Sequence, residues 1–124
     1  MQETSVNVMG DLEQIAHELG DAVTYDSNRG IENLAYRDDK SQITATQYPH
    51  GNKALSYHVD IAQVDFYILQ LQTIKTDTSR QIQKKLKRVQ PQKPAEGKHL
   101  VGGYFSLADF SGISDLIRLH KQAA

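Results

Sequence analysis

The chain of 124 residues contains no cysteine. Disulfide bonds, thiolate metal sites and cysteine nucleophiles are therefore excluded. The absence also fits a reducing compartment, so the sequence predicts a cytoplasmic protein. The first residues, Met1–Thr4, lack the basic and apolar regions of a secretory signal, which favours the same location.

Long apolar runs are also missing. The longest one, around Val64–Leu71, is interrupted by Asp65 and Gln70. Because a membrane-spanning helix needs roughly 20 predominantly apolar residues, no membrane partner is expected. Charged residues make up 23% of the chain and hydrophobic residues 39%, which is typical of a globular protein. The length predicts a single domain over residues 1–124.

The net charge of −1 hides a separation of charge along the chain. Residues 1–70 carry eleven acidic and four basic side chains, whereas residues 71–124 carry ten basic and four acidic ones. This asymmetry has two interpretations. Either the folded protein has a polarised surface that binds a charged partner, or the two halves neutralise each other across one surface.

The first half of the chain predicts one helix and several strands. The apolar residues of Asp11–Leu19 have helical spacing, and Gly20 follows where helices commonly end. Turn-forming residues 49–52 separate the two arms of an expected β-hairpin. Strands are expected at Ser5–Met9, Ala22–Asp26, Ile31–Arg37, Gln42–Tyr48 and Lys53–Ile61.

The segment Val64–Ile74 has apolar residues at consecutive positions. This pattern favours a central strand covered on both sides, with a helix as the alternative. Thr78 and Gln81 form a capping-box pattern that predicts a helix ending near Val89. Residues 90–98 then form a connector with Pro and Lys, followed by a strand over His99–Leu107.

A final helix is expected after Ser111 or Ser114, and His120 on it is predicted to be partly packed, as is His17 on the first helix. The elements together predict an α+β fold. We expect a mainly antiparallel sheet of five to six strands, with two to three helices packed largely on one face.

The strongest functional feature is the basic helix. At about 100° per residue, its cations lie opposite the apolar seam of Ile82, Leu86 and Val89. These cations are Arg80, Lys84, Lys87 and Arg88. Such a face can bind an acidic protein surface, bind a phosphate backbone, or simply be solvated. Because no aromatic residue lies between the cations, stacking on single-stranded bases is not supported by this segment.

A weaker constellation lies on the second hairpin arm. His58 and Asp60 share one strand face, and His50 lies in the adjoining turn. An imidazole beside a carboxylate is the arrangement used in acid–base catalysis. Two His and one Asp are also a set that can bind a divalent metal ion. Ordinary solvent-facing residues explain the same pattern, and the favoured prediction is that no metal or other cofactor binds. The pair Gly102-Gly103 indicates a bulge or a close backbone approach.

The favoured hypothesis is a small non-enzymatic binding protein that engages an acidic macromolecular partner, for example as an inhibitor or immunity-type protein. That example rests on fold-level analogy alone. The alternative is a nucleic-acid-binding accessory domain that uses the helix over residues 79–89. The third hypothesis is a small hydrolase or nuclease that uses His58 and Asp60. The sequence leaves the oligomeric state open.

Overall fold

A computed structural model describes residues 9–89 and 99–124. These residues form one antiparallel sheet and four α-helices, in the order α-β-β-β-β-α-α-β-α. The strands are β1 (Thr24–Asn28), β2 (Ile31–Arg37), β3 (Ser41–Gln47), β4 (Lys53–Asp60) and β5 (Leu100–Leu107). The helices are α1 (Asp11–Leu19), α2 (Val64–Leu71), α3 (Asp77–Val89) and α4 (Ile113–Ala123). The predicted α+β fold class is therefore confirmed.

The five strands lie in the sheet in their order along the chain, and every neighbouring pair is antiparallel. The turn between β1 and β2 has two residues, Arg29 and Gly30, with φ values of 55° and 79°. Positive φ at both positions is what a type I′ hairpin turn requires. The predicted hairpin of β3 and β4 is present, and it is closed by a hydrogen bond of 2.9 Å from the Tyr48 N–H to the Asn52 carbonyl.

One face of the sheet carries the core. Side chains alternate along each strand, and the inward-facing ones are almost fully buried. They include Leu34, Tyr36, Ile43, Ala45, Leu55, Tyr57 and Val59. All four helices contribute residues to the same cluster. The opposite face, which carries Thr44, Ser56 and Tyr104, contributes none. The helices therefore pack on one face, as the sequence predicted.

The predicted strand over Val64–Ile74 is wrong, because Val64–Leu71 is helix α2. The buried residues Val64, Tyr67, Ile68 and Leu71 follow the i, i+3, i+4, i+7 spacing of a helix. The apolar residues between them are exposed, Leu69 at 64%. The sequence pattern suggested two covered faces because it does not distinguish these exposed apolar residues from buried ones.

The predicted helix caps also differ from the observed ones. Thr76, and not Thr78, caps α3, because its hydroxyl accepts a hydrogen bond of 3.2 Å from the Ser79 N–H. Helix α4 begins after Gly112, whose φ is 81°, without a side-chain cap. Of the remaining predictions, the connector over 90–98 and residues 5–8 of the first strand lie outside the described residues. Within the described ranges, none of the helices has the length and apolar character needed to span a bilayer.

Candidate functional site

Helix α3 separates its apolar and basic residues as the sequence predicted. Ile82 and Leu86 are completely buried, at 0% exposure, and the helix packs against β5 and α2. The cations on the other side of the helix are all exposed, and we call them the α3 basic face: Arg80, Lys84, Lys87 and Arg88. The burial of two large aliphatic side chains anchors the helix while its cations remain available to a partner.

The acidic residues of α1 and the basic residues of α3 lie at opposite ends of the sheet. Helix α1, with exposed Asp11, Glu13 and Glu18, packs against β1, β2 and β3, whereas α3 packs beside β5 at the other end of the sheet. Within residues 9–89 and 99–124, no carboxylate pairs with the α3 basic face; the ion pair found there joins Arg118 to Asp115. Helices α1 and α3 therefore do not neutralise each other.

A groove lies between α3 and β5. Its volume is about 350 Å³, and it is lined by Gln81, Lys84, Lys85, Arg88, Gly103, Tyr104 and Phe105. Tyr104 is the most exposed of the large hydrophobic side chains in the described part of the chain, at 82%. The aliphatic part of Lys85 lies over Gly103, where an added Cβ would be 3.2 Å from the Lys85 Cε. The groove thus combines two exposed cations with the edge of β5, while the Tyr104 ring projects from the opposite sheet face, beside His58.

The backbone of β5 is a sheet edge, since β4 is the strand that pairs with it. The Ile61 N–H donates a hydrogen bond of 2.8 Å to the His99 carbonyl. These residues continue the register in which Val59 lies opposite Val101 and Tyr57 opposite Gly103. Because hydrogen-bonded pairs recur at every second residue, the intervening residues of β5 direct their N–H and C=O groups away from β4.

We call this set of outward backbone groups the β5 edge; it belongs to Gly102, Tyr104 and Ser106. Among the described segments, no backbone hydrogen bond outside the sheet ladder involves these residues. The close approach expected at the glycine pair is present, because a Cβ on Gly102 would lie 1.9 Å from the Tyr57 carbonyl oxygen. The β5 edge is therefore a row of backbone groups beside the groove.

Of the three weaker candidates, His58 and Asp60 share the outer sheet face, whereas His50 lies away from them. His58 lies on the outer sheet face, with its Nδ1 3.3 Å from the Ser56 Oγ and its ring edge-on to Tyr104 at 5.4 Å. The Asp60 carboxylate accepts a hydrogen bond from the Ala62 N–H. His50 lies in the turn before β4, next to Tyr48. Strand β4 rises by roughly 3.4 Å per residue, so His50 and His58 are at opposite ends of the hairpin arm.

Among the described residues, His58 and Asp60 are hydrogen-bonded to other groups and not to each other. Burial lowers the pKa of His58, and its hydrogen-bonding neighbour is a hydroxyl and not a carboxylate. Across residues 9–89 and 99–124, no three His, Asp or Glu side chains are close enough together to hold a metal ion.

A buried polar network in the core was missed by the sequence analysis. The Nδ1 of His120 lies 2.7 Å from the Ser41 Oγ, and its Nε2 lies 2.7 Å from the Tyr57 hydroxyl. Its ring stacks on that of Tyr67. His120 and Ser41 are 0% and 1% exposed, so no substrate reaches this Ser–His pair. Burial lowers the pKa of His120 to about 4, and the imidazole is neutral at pH 7.

Tyr104 was also missed as part of the basic surface. Strand alternation in β5 places it on the face opposite Val101 and Phe105, and this signal was available in the sequence. That β5 at this position lines the same groove as Lys84 and Arg88 was not, because the two segments meet only through the packing of α3 on β5. Comparisons with protein-family models, curated proteins and solved structures find no match to this chain.

Proposed function

We propose that this protein is a non-enzymatic binding protein that engages an acidic protein partner through the α3 basic face. The observation that supports this proposal is the exposure of all four cations without a carboxylate partner among the described residues. Unpaired cations on one helix attract an acidic surface and accelerate the encounter with it. A cytoplasmic location and an inhibitor or immunity-type role remain narrower forms of the same proposal.

A protein partner is favoured over nucleic acid by the charges of the open sheet face. Its exposed cation is Arg37, and Asp26 and Asp60 share the same face. A nucleic-acid strand crossing this face would meet no continuous basic path. Nucleic acid remains the second candidate because a phosphate backbone could also bind the α3 basic face, and the exposed Tyr104 ring on the neighbouring sheet face could stack on a base.

The experiment compares two double charge reversals. Lys84→Glu with Arg88→Glu removes the centre of the α3 basic face, whereas Arg29→Glu with Arg37→Glu makes the same change in net charge at other exposed positions. The probes are fluorescent poly-L-glutamate, a single-stranded oligonucleotide and a DNA duplex. Fluorescence anisotropy measures the Kd of each at several salt concentrations.

Poly-L-glutamate is expected to bind the native protein, with an affinity that falls as salt increases. The Lys84/Arg88 variant is expected to weaken binding about tenfold or more, since two of the four exposed cations change sign. The Arg29/Arg37 variant is expected to retain most of the affinity. Equal losses in the two variants would overturn the surface assignment, and tighter binding of an oligonucleotide would favour the second candidate.

A further inference from the structure

We propose that the segment of the partner that binds here is an extended acidic strand that adds to the β5 edge. Its backbone pairs with Gly102, Tyr104 and Ser106, and its carboxylates lie against Lys84 and Arg88. This inference rests on the proposed function and names the kind of segment that the α3 basic face receives.

The backbone of β5 supports this mode of binding. Its outward N–H and C=O groups recur at every second residue, and no described segment pairs with them. Strand addition satisfies such groups with main-chain hydrogen bonds, while side chains supply the selectivity. A loop or a helix would leave these N–H and C=O groups without backbone partners.

The spacing of the cations fits the same strand. Lys84 and Arg88 are four residues apart on α3, a rise of about 6 Å along the helix axis. Alternate side chains of an extended strand are separated by about 6.8 Å. Carboxylates at every second residue, on one face of the added strand, therefore have nearly the same spacing as Lys84 and Arg88. A helical acidic segment would instead present carboxylates but no backbone groups to the β5 edge.

Helix α3 also follows β5 along its length. Lys84 and Arg88 line the groove beside Gly103–Phe105. Arg80 lines a neighbouring groove beside Leu107 and Ala108. The start of α3 therefore lies near the end of β5, and the cations follow the strand direction for several residues.

Charge complementarity selects the occupant. Exposed strand edges are commonly protected from self-association by lysine side chains. Here the cations repel a second copy of the same basic edge and attract a strand that carries carboxylates. An acidic strand is therefore favoured over the β5 edge of a second copy of this chain.

The test uses acetylated and amidated peptides of about eight residues, the length of an ordinary strand. In the first, Glu alternates with Thr. In the second, the same sequence is N-methylated at every second residue, which keeps the charge but removes the backbone N–H donors along one edge of the peptide. Two such peptides are made, one methylated at the odd positions and one at the even positions. In the third, Lys replaces Glu. Isothermal titration calorimetry measures their affinities for the full chain, and amide hydrogen exchange reports protection in β5.

The Glu/Thr peptide is expected to bind and to protect the amides of Tyr104 and Ser106. One phase of N-methylation is expected to weaken binding at least about tenfold, since two or more main-chain hydrogen bonds are lost. The Lys/Thr peptide is expected not to bind. Tyr104→Pro removes one outward N–H and is expected to weaken binding several-fold, whereas Tyr104→Thr, which keeps this N–H, is expected to have a smaller effect.

The outcomes separate the two proposals. If both N-methylated peptides bind as well as the parent and β5 gains no protection, strand addition is wrong while the proposed function stands. If poly-L-glutamate and all the peptides fail to bind, both are wrong. A Lys84→Glu/Arg88→Glu variant that forms dimers in analytical ultracentrifugation and binds no peptide would show that the cations only prevent self-association, which also overturns strand addition.

Discussion

The imidazole of His120 stacks on the phenol ring of Tyr67 inside the core, with ring centroids 4.2 Å apart and an interplanar angle of 22°. The two residues come from α4 and α2, so the stack ties the last helix to the middle of the chain. Both imidazole nitrogens are hydrogen-bonded, to Ser41 on β3 and Tyr57 on β4. His120 therefore joins two helices and two strands at one point.

Acid is expected to destabilise the protein through His120. Burial lowers the pKa of its imidazole from 6.5 to about 4, so the unfolded state binds one more proton between these pH values. The free energy of unfolding is therefore lost as the pH falls through this range, by about 3 kcal/mol between pH 7 and pH 4. Urea unfolding of native protein and His120→Gln over this pH range measures the effect. The free energy of unfolding of the variant is expected to depend less on pH than that of the native protein. Parallel pH dependences would show that His120 is not the group responsible.

Two buried tyrosines in this cluster are expected to respond oppositely to the loss of their hydroxyl. Tyr57→Phe removes a partner of the His120 Nε2 and is expected to destabilise the fold by about 1–3 kcal/mol. Burial raises the pKa of the Tyr67 hydroxyl and the nearby Ser41 partly offsets this rise, but within the described part of the chain this buried hydroxyl has no hydrogen bond of ordinary geometry. Tyr67→Phe is therefore expected to be neutral or stabilising. Thermal unfolding at pH 7 compares the stability of the two variants. Equal losses of stability would contradict the prediction that only the Tyr57 hydroxyl is stabilising.

Gly102 is expected to tolerate no side chain. A Cβ there would lie 1.9 Å from the Tyr57 carbonyl oxygen, a backbone atom that cannot move independently of β4. Gly102→Ala is expected to cost about 3 kcal/mol or more. The matched control is Gly103→Ala, where the nearest atom is the flexible Lys85 Cε at 3.2 Å. Urea unfolding is expected to give a lower midpoint for Gly102→Ala than for Gly103→Ala. Similar midpoints would contradict the prediction that only Gly102 lies too close to a backbone atom for a side chain.

The start of α3 offers a test of which threonine caps the helix. The hydroxyl of Thr76 accepts the Ser79 N–H, so Thr76→Val is expected to destabilise the protein by about 1 kcal/mol. Thr78→Val keeps the shape of a buried side chain and is expected to have a smaller effect. The reverse order in urea unfolding would support the capping box that the sequence suggested.

The sequence predicted most helices and strands whose ends are marked by the local pattern of apolar and turn-forming residues. Helix α1 and strand β2 have the predicted bounds, and β3, β4 and β5 are within one residue of theirs at each end. In each, one buried face alternates with one exposed face, and this period can be read without knowing the partner. The Val64–Ile74 segment was assigned wrongly because exposed Phe66 and Leu69 obscured its helical stripe.

The sequence by itself determined the α+β class, the antiparallel hairpin and the exposure of Arg80, Lys84, Lys87 and Arg88, because each follows from a short-range period of apolar residues. Only the tertiary structure decided which distant groups meet. Packing α3 on β5 placed Lys84 and Arg88 beside the edge of β5, and packing α4 under the sheet enclosed His120 between Ser41 and Tyr57. These contacts join segments up to 79 residues apart, and no local pattern encodes such a pairing.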